Sequence, residues 1–251
     1  MPRFLNLLSS GLALLLPREC PVCAGDLPWN APAGICCGCW SGIRPLLAPL
    51  CDRCGHPLGS FPANPPPHTC IPCGKNPPPF RSARSLGSYD DSLREILKQF
   101  KYTGRTEIGP ILGTFMVSCL RLQMPAREWD GVIPVPLHWY KRWQRGFNPS
   151  EILARSVARA TGLPLLRRIL VRIRPTSTQA SLPKSERRRN VRNAFRVRRC
   201  GSVRGRTLLL VDDVLTTGAT AAACSGQLLR SGARAVDLLT AARTLEARAW
   251  E

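Results

Sequence analysis

Leu208-Leu209-Leu210-Val211 is an unbroken apolar run, the pattern of a strand buried on both faces. Asp212 and Asp213 follow where such a strand would end. Thr216-Thr217-Gly218-Ala219-Thr220 then turns into a helix running through Ala221–Ala223 to Leu228 and Leu229. Ala235-Val236-Asp237-Leu238-Leu239 predicts a further strand. Gly131-Val132-Ile133-Pro134-Val135-Pro136-Leu137-His138 predicts a short strand ending in a proline-stiffened turn. Helical spacing shows in Tyr89, Leu93, Ile96, Leu97 and Phe100, starting at Asp91 or Ser92, with Tyr102 beyond. A loop at Gly104 and Thr106 leads to a second helix through Ile111, Leu112, Phe115 and Leu122, stopping at Pro125. A third helix opens on Asn148-Pro149-Ser150-Glu151 and carries Ile152, Leu153 and Val157 to Gly162. Asn148 reads there as the N-cap, with Pro at the first helical position and Glu at the third.

The front of the chain has a different pattern. Cys20/Cys23, Cys36/Cys39, Cys51/Cys54 and Cys70/Cys73 are four Cys-x-x-Cys pairs, with gaps of 12, 11 and 15 residues between them. Two such turns bring four thiolates onto one metal, so four pairs make two structural zinc sites, most simply first with second and third with fourth. Cys37 is left over, and His56 and His68 read as loop residues. Gly25, Gly55 and Gly74 follow their knuckles, where a tight turn wants φ > 0. Nine prolines between Pro57 and Pro79 rule out regular structure there, so metal must supply what core packing cannot. Redox chemistry by a single Cys-x-x-Cys is the runner-up, weakened by the fourfold repeat. The expected division is an apolar helix over residues 1–17, a zinc module over 18–79 and an α/β domain over 80–251.

A chain of 251 residues accommodates one α/β core and a small accessory module. The 36 basic and 16 acidic residues give a net charge of +20. Residues 165–206 alone hold 14 Arg or Lys against Glu186, a local +13 that suits a pyrophosphate-bearing substrate or a nucleic-acid backbone. A solvated loop without a partner would carry the same charge. The first 80 residues hold five basic residues and three acids, so the cysteine module has no obvious polyanion face. Phe4–Leu16 is apolar but only 13 residues long, too short to span a bilayer and without a small-x-small cleavage site. The expectation is a cytoplasmic protein with no integral membrane segment.

The chemistry concentrates at the end of the Leu208 strand. A Thr- and Gly-rich turn entering a helix offers backbone N–H groups, hydroxyls and a positive dipole end, which suits a phosphate. Paired acids before it could hold sugar hydroxyls, or a Mg²⁺ that bridges them to phosphate oxygens. An ordinary acidic helix cap is the plain alternative. No Gly-Lys-Ser/Thr is present, which excludes a Walker A loop. Lys141, Arg142 and Arg145 behind the Gly131 strand offer a pyrophosphate grip. His138 reads as structural, with a general-base role open beside it. Lys98 and Lys101 could face a ligand or simply favour a helix C-terminus.

The Thr207–Thr220 stretch resembles the phosphoribosyl-pyrophosphate (PRPP) loop of type I phosphoribosyltransferases. The resemblance implies that Asp212 and Asp213 hold the ribose hydroxyls, while Thr216, Thr217, Gly218, Ala219 and Thr220 hold the 5′-phosphate. The wider order of marks is similar to the ComF family, named for bacterial competence. Those marks are the repeated Cys-x-x-Cys front, VIPVPLH, RGFNPSEILA, Thr176-x-x-Gln179, Arg188–Phe195 and VDDVLTTGAT. The family implies a double zinc ribbon joined to a type I phosphoribosyltransferase-like, mainly parallel sheet flanked by helices. It also implies a pyrophosphate loop at Leu137 and His138 and a flexible hood over Thr176–Arg192, with Arg142, Arg145 and Arg188 facing the pyrophosphate. Pro149 departs from the Gln common there, which weakens a ligand role at that position. Two functions follow: a PRPP- and Mg²⁺-binding phosphoribosyltransferase of unknown acceptor, or a non-catalytic handler of single-stranded DNA that uses the basic 165–206 segment. Against the second, that segment holds one aromatic, Phe195, and so lacks a stacking platform.

Overall fold

The computed structural model describes residues 18–59, 68–174 and 193–245. The expected 1–17 helix, the Thr176–Gln179 stretch and Arg188 lie outside them. Among the described residues six strands follow in chain order: β1 (Ser82–Ser88), β2 (Gly131–Pro134), β3 (Leu170–Arg172), β4 (Phe195–Val197), β5 (Thr207–Leu215) and β6 (Ala235–Arg243). The α-helices are α1 (Cys37–Ser41), α2 (Ile71–Lys75), α3 (Asp91–Tyr102), α4 (Ile108–Gln123), α5 (Trp139–Arg145), α6 (Pro149–Thr161) and α7 (Ala219–Arg230). One four-stranded sheet has the order β1-β6-β5-β2 with every neighbouring pair parallel, and β3 and β4 form a small antiparallel ribbon.

Period-two alternation along β5 explains its central place. Leu209 and Val211 pack on one face with Leu112, Met116, Leu153 and Val157 of α4 and α6. Leu208 and Leu210 pack on the other with Leu228 of α7 and Phe195 of β4. α4 and α6 cross closely because α4 presents Gly109 and Gly113. A Cβ at either position would lie 2.4 Å from Ile152 or 2.3 Å from Ser156.

β5 runs past the point expected from its apolar run. Asp212 pairs with Thr240 and Val214 with Ala242, so the acids lie inside the strand, which ends at Leu215. The cation-rich stretch after His138, expected as a pyrophosphate grip and given no element of its own, is the helix α5. His138 caps it, its Nδ1 accepting from the Tyr140 N–H at 3.3 Å, and Gly146 stops it at φ +81°.

The cysteine-rich front docks on β1, the outer strand of the sheet. The Ala83 N–H donates to the Arg53 carbonyl at 2.8 Å, and the Ser88 N–H donates to the Arg44 carbonyl at 3.2 Å. In return the Leu46 N–H donates to the Leu86 carbonyl at 3.3 Å. An otherwise unpaired strand edge is thereby satisfied. Ile35, Cys39 and Trp40 join the core beside Leu93 and Ile96, and Trp40 packs against Phe115 with ring centroids 5.8 Å apart and planes tilted by 58°. Among the described residues no helix is long and apolar enough to cross a membrane.

Candidate functional site

The four Cys-x-x-Cys pairs converge as two groups, Cys20/Cys23/Cys36/Cys39 and Cys51/Cys54/Cys70/Cys73, with the sulfurs of each group within 4.8 Å of one another. Zinc–sulfur bonds of about 2.3 Å in tetrahedral geometry set ligand sulfurs about 3.8 Å apart. The measured separations fit: 3.8 Å for Cys20–Cys39, 3.7 Å for Cys23–Cys36 and 3.6 Å for Cys54–Cys70. Backbone N–H groups of Cys36 and Cys70 point at the Cys20 and Cys51 sulfurs from 3.5 and 3.3 Å, the dipoles that thiolates want. The donor sets thus suit two structural zinc ions. Within each group one pair forms a tight turn and the other starts a helix, α1 after Cys36 and α2 after Cys70; the proline-rich stretch expected to lack regular structure thus holds one short helix, with Pro72 in its first turn where no N–H is needed. The positive φ of the turn falls on Ala24 and Gly55, each the residue after the second cysteine. Gly25 and Gly74, expected to need it, have ordinary backbones because they sit one place later or in a helix.

The second group is also held to the sheet. Arg84, buried in β1, donates to the Cys51 and Asp52 carbonyls at 3.4 Å. Arg243, at the end of β6, donates to the Cys54 carbonyl and lies 3.7 Å from the Cys54 sulfur. Two guanidiniums beside a four-thiolate centre offset its surplus negative charge.

At the carboxyl end of β5 lies a cavity of about 330 Å³. Asp212 and Asp213 form one side, and Thr216, Gly218, Ala219 and Thr220 another. Gly218 adopts φ +73° at the N-cap of α7, whose first-turn N–H groups have no intrahelical partner. Thr217 is not in the wall; its Oγ1 accepts from the Ala219 N–H at 3.4 Å and steadies the loop. Leu137 and Asn148 close the β2 side. Asn148 is not the side-chain cap expected of it. Its Nδ2 donates to the Val135 carbonyl at 3.0 Å, tying the start of α6 to the turn after β2.

The cavity is electrostatically lopsided, with Lys101, Lys141, Arg145 and Arg172 around its two carboxylates. Lys101 Nζ lies 3.0 Å from Asp213 Oδ2, which decides the open question about that lysine: it faces the site. Asp212 accepts from Ser150 Oγ at 2.8 Å and from the Asp213 N–H at 2.9 Å. Burial, reinforced by the Asp213 charge, still pushes its carboxyl up to about 7. Lys141, half-buried, is pushed down by partial loss of water and by the nearby Arg172 and Arg145. His138 is buried and lowered by the same loss of water and by Arg172 and Lys141; it is the α5 cap and not part of the cavity wall. Arg142 is likewise absent from the wall and pairs with Glu151 at 3.3 Å. Arg145 stands in the wall, 5.0 Å from the Tyr102 ring. Arg188 lies outside the described residues. Sequence reasoning missed Ser150 and Arg172. Arg172 sits in the basic segment, where only the β3–β4 pairing distinguishes it from its neighbours.

A family model described as a double zinc ribbon domain matches residues 11–74. The DNA utilization protein YhgH of Salmonella typhi is 34% identical over 240 residues, covering 92% of this chain and all of the relative. Competence protein F of Haemophilus influenzae is 30% identical over 233 residues, covering 90% of this chain and 96% of the relative. Among solved structures, a glutamine PRPP amidotransferase from B. subtilis, complexed with ADP and GMP, aligns at TM-score 0.34 and 24% identity. That alignment covers 51% of this chain and 25% of the enzyme. With relatives at 30% and 34% identity matched over 96% and 100% of their length, and the ribbon domain in place, the chain belongs to the ComF family, the competence protein F relatives.

Proposed function

We propose that the cavity at the end of β5 binds PRPP or a closely related phosphosugar. The observation that carries this reading is the opposition of two adjacent carboxylates to a Thr/Gly loop, with four cations around them. Asp212 and Asp213 would take the ribose hydroxyls, and the loop from Thr216 to Thr220 the 5′-phosphate. Lys141, Arg145 and Arg172 would face the pyrophosphate, and binding would draw Lys101 off Asp213. Mg²⁺, when bound with PRPP, would neutralise pyrophosphate oxygens, and the paired acids are the residues that would hold it.

If the site is catalytic, the reaction is displacement at the anomeric carbon with pyrophosphate leaving. The chain's part is then to fix the ribose and stabilise charge on the departing group. On this reading residues 18–79 are the zinc module and 80–251 the phosphosugar domain, in a cytoplasm that keeps the thiols reduced. Calorimetry with PRPP, with and without Mg²⁺, tests it. The wild type should bind, and the double variant Asp212→Asn/Asp213→Asn should lose at least about a hundredfold in affinity with its fold intact. Equal binding by both would remove the site assignment.

A second reading has support in the relatives' names, DNA utilization protein and competence protein F. The exposed arginines Arg167, Arg168, Arg196, Arg198 and Arg199 of the basic segment would contact single-stranded DNA electrostatically, without turnover. Affinity falling steeply with salt supports it, and binding that survives high salt counts against it.

A further inference from the structure

α5 is the sequence Trp139-Tyr140-Lys141-Arg142-Trp143-Gln144-Arg145, and no residue of it is buried. Trp139 is 70% exposed, Tyr140 53% and Trp143 78%. Residues three and four apart share a helix face, so Trp139 and Tyr140 both neighbour Trp143. The rings lie close together, with centroids 6.0 Å apart for Trp139–Tyr140 and 6.4 Å for Tyr140–Trp143. Tyr102, 72% exposed at the end of α3, extends the aromatic surface through its contact with Arg145. Large aromatic rings normally contribute most when buried, so a cluster left in water marks a contact surface.

The chemistry of the partner follows from what alternates with the rings. Lys141, Arg142 and Arg145 share the helix with them, and it carries no acid. A membrane-surface helix buries a broad apolar face of Trp, Phe and Leu, whereas the seven residues of α5 add no aliphatic side chain to their three rings. Aromatic faces interleaved with cations are the composition that holds unstacked bases and the phosphates between them. Seven residues at 1.5 Å rise span about 10 Å, room for roughly two or three nucleotides.

We propose that α5 and Tyr102 form a base-stacking platform for single-stranded nucleic acid, separate from the arginines of β3 and β4. Lys141, Arg145 and Tyr102 also line the cavity, whereas the rings of Trp139, Tyr140 and Trp143 stand outside its wall. It also supplies the aromatic surface that the basic segment lacks.

Fluorescence anisotropy with three probes tests it: an oligothymidylate of about 20 nucleotides, the same backbone made abasic, and phosphatidylglycerol vesicles. The variants are Trp139→Ala/Trp143→Ala, whose exposed side chains leave the core untouched, and Arg198→Ser/Arg199→Ser. The wild type should prefer the thymidylate to its abasic twin by about tenfold or more, since stacking acts on bases alone. The tryptophan variant should lose that preference, and the arginine variant should keep it while binding both strands more weakly. Equal affinity for the two strands in the wild type would overturn the platform. So would a preference that persists without the tryptophans, absence of strand binding, or binding to vesicles alone.

Discussion

Asp237 and Asp212 sit on neighbouring strands of one sheet, toward opposite ends, and they are provided for very differently. Asp237, fully buried, accepts from Arg81, from Arg127 at 2.9 Å and from the Trp129 indole at 2.9 Å. Its charge is matched twice over. Asp212 receives one hydroxyl and one backbone N–H, has a second carboxylate beside it, and opens onto a cavity. The first acid is finished as part of the fold, whereas the second is left short of donors. In a parallel sheet ligands sit outside the strand carboxyl ends, and Asp212 lies toward that end while Asp237 lies toward the amino end. A buried acid with its partners complete argues for stability, and one pushed up to about 7 argues for chemistry.

Metal removal tests the structural side of this contrast hardest. Elemental analysis should return about two zinc per chain, and chelation should unfold the front end and uncover β1. One zinc or none would undo the two-site assignment. Next in size, Asp237→Ala should cost about 3–5 kcal/mol in urea unfolding, because it strands two guanidiniums. Affinity for PRPP, measured on the folded fraction, should change little. A loss below about 1 kcal/mol would make Asp237 no more structural than Asp212.

Asp212→Asn should act in the opposite sense. The Asp212 carboxyl titrates higher in the folded chain than in the unfolded one, so folding favours its protonated form. That contribution is complete at low pH and is lost as pH rises through about 7. The variant should therefore gain stability over the wild type as pH rises, by about 2–3 kcal/mol between pH 5 and pH 8. A difference that does not vary with pH would place Asp212 with its structural counterpart. The smallest expected effect separates two arginines of one helix. Arg145→Ala should weaken PRPP binding about tenfold, while Arg142→Ala, already committed to Glu151, should stay within about twofold. Equal losses would mean that the Arg142–Glu151 pair opens for the ligand.

The sequence revealed what depends on local spacing. Cys-x-x-Cys intervals fixed both sulfur groups, because two thiolates per turn have few other ways to be satisfied. The apolar run of β5 revealed a strand buried on both faces. Its true end was hidden, since the pairing of Asp212 with Thr240 is decided by β6, across the sheet. α5 was hidden for the opposite reason. A helix with no buried face has no apolar period to read, so its residues looked like a row of charges. Asn148 had the residue type and position of a cap, but the Val135 carbonyl, distant in sequence, competed for its amide. Arg172 and Ser150 reach the site through tertiary packing and leave no local sign.

The docking of the cysteine-rich front on β1 also bears on the order in which the chain is made. Among the described strands of the sheet β1 is the first to leave the ribosome, and its sheet neighbour, β6, is the last. For most of synthesis, about 150 residues, β1 has no partner within the sheet. The two cysteine groups are already outside by then and can take up metal without the rest of the chain. Arg44, Leu46 and Arg53 can therefore engage one edge of β1 at once, leaving a single edge for β6. The front end thus covers one edge of the strand whose sheet neighbour is made last, an edge that would otherwise be open to pairing with another polypeptide.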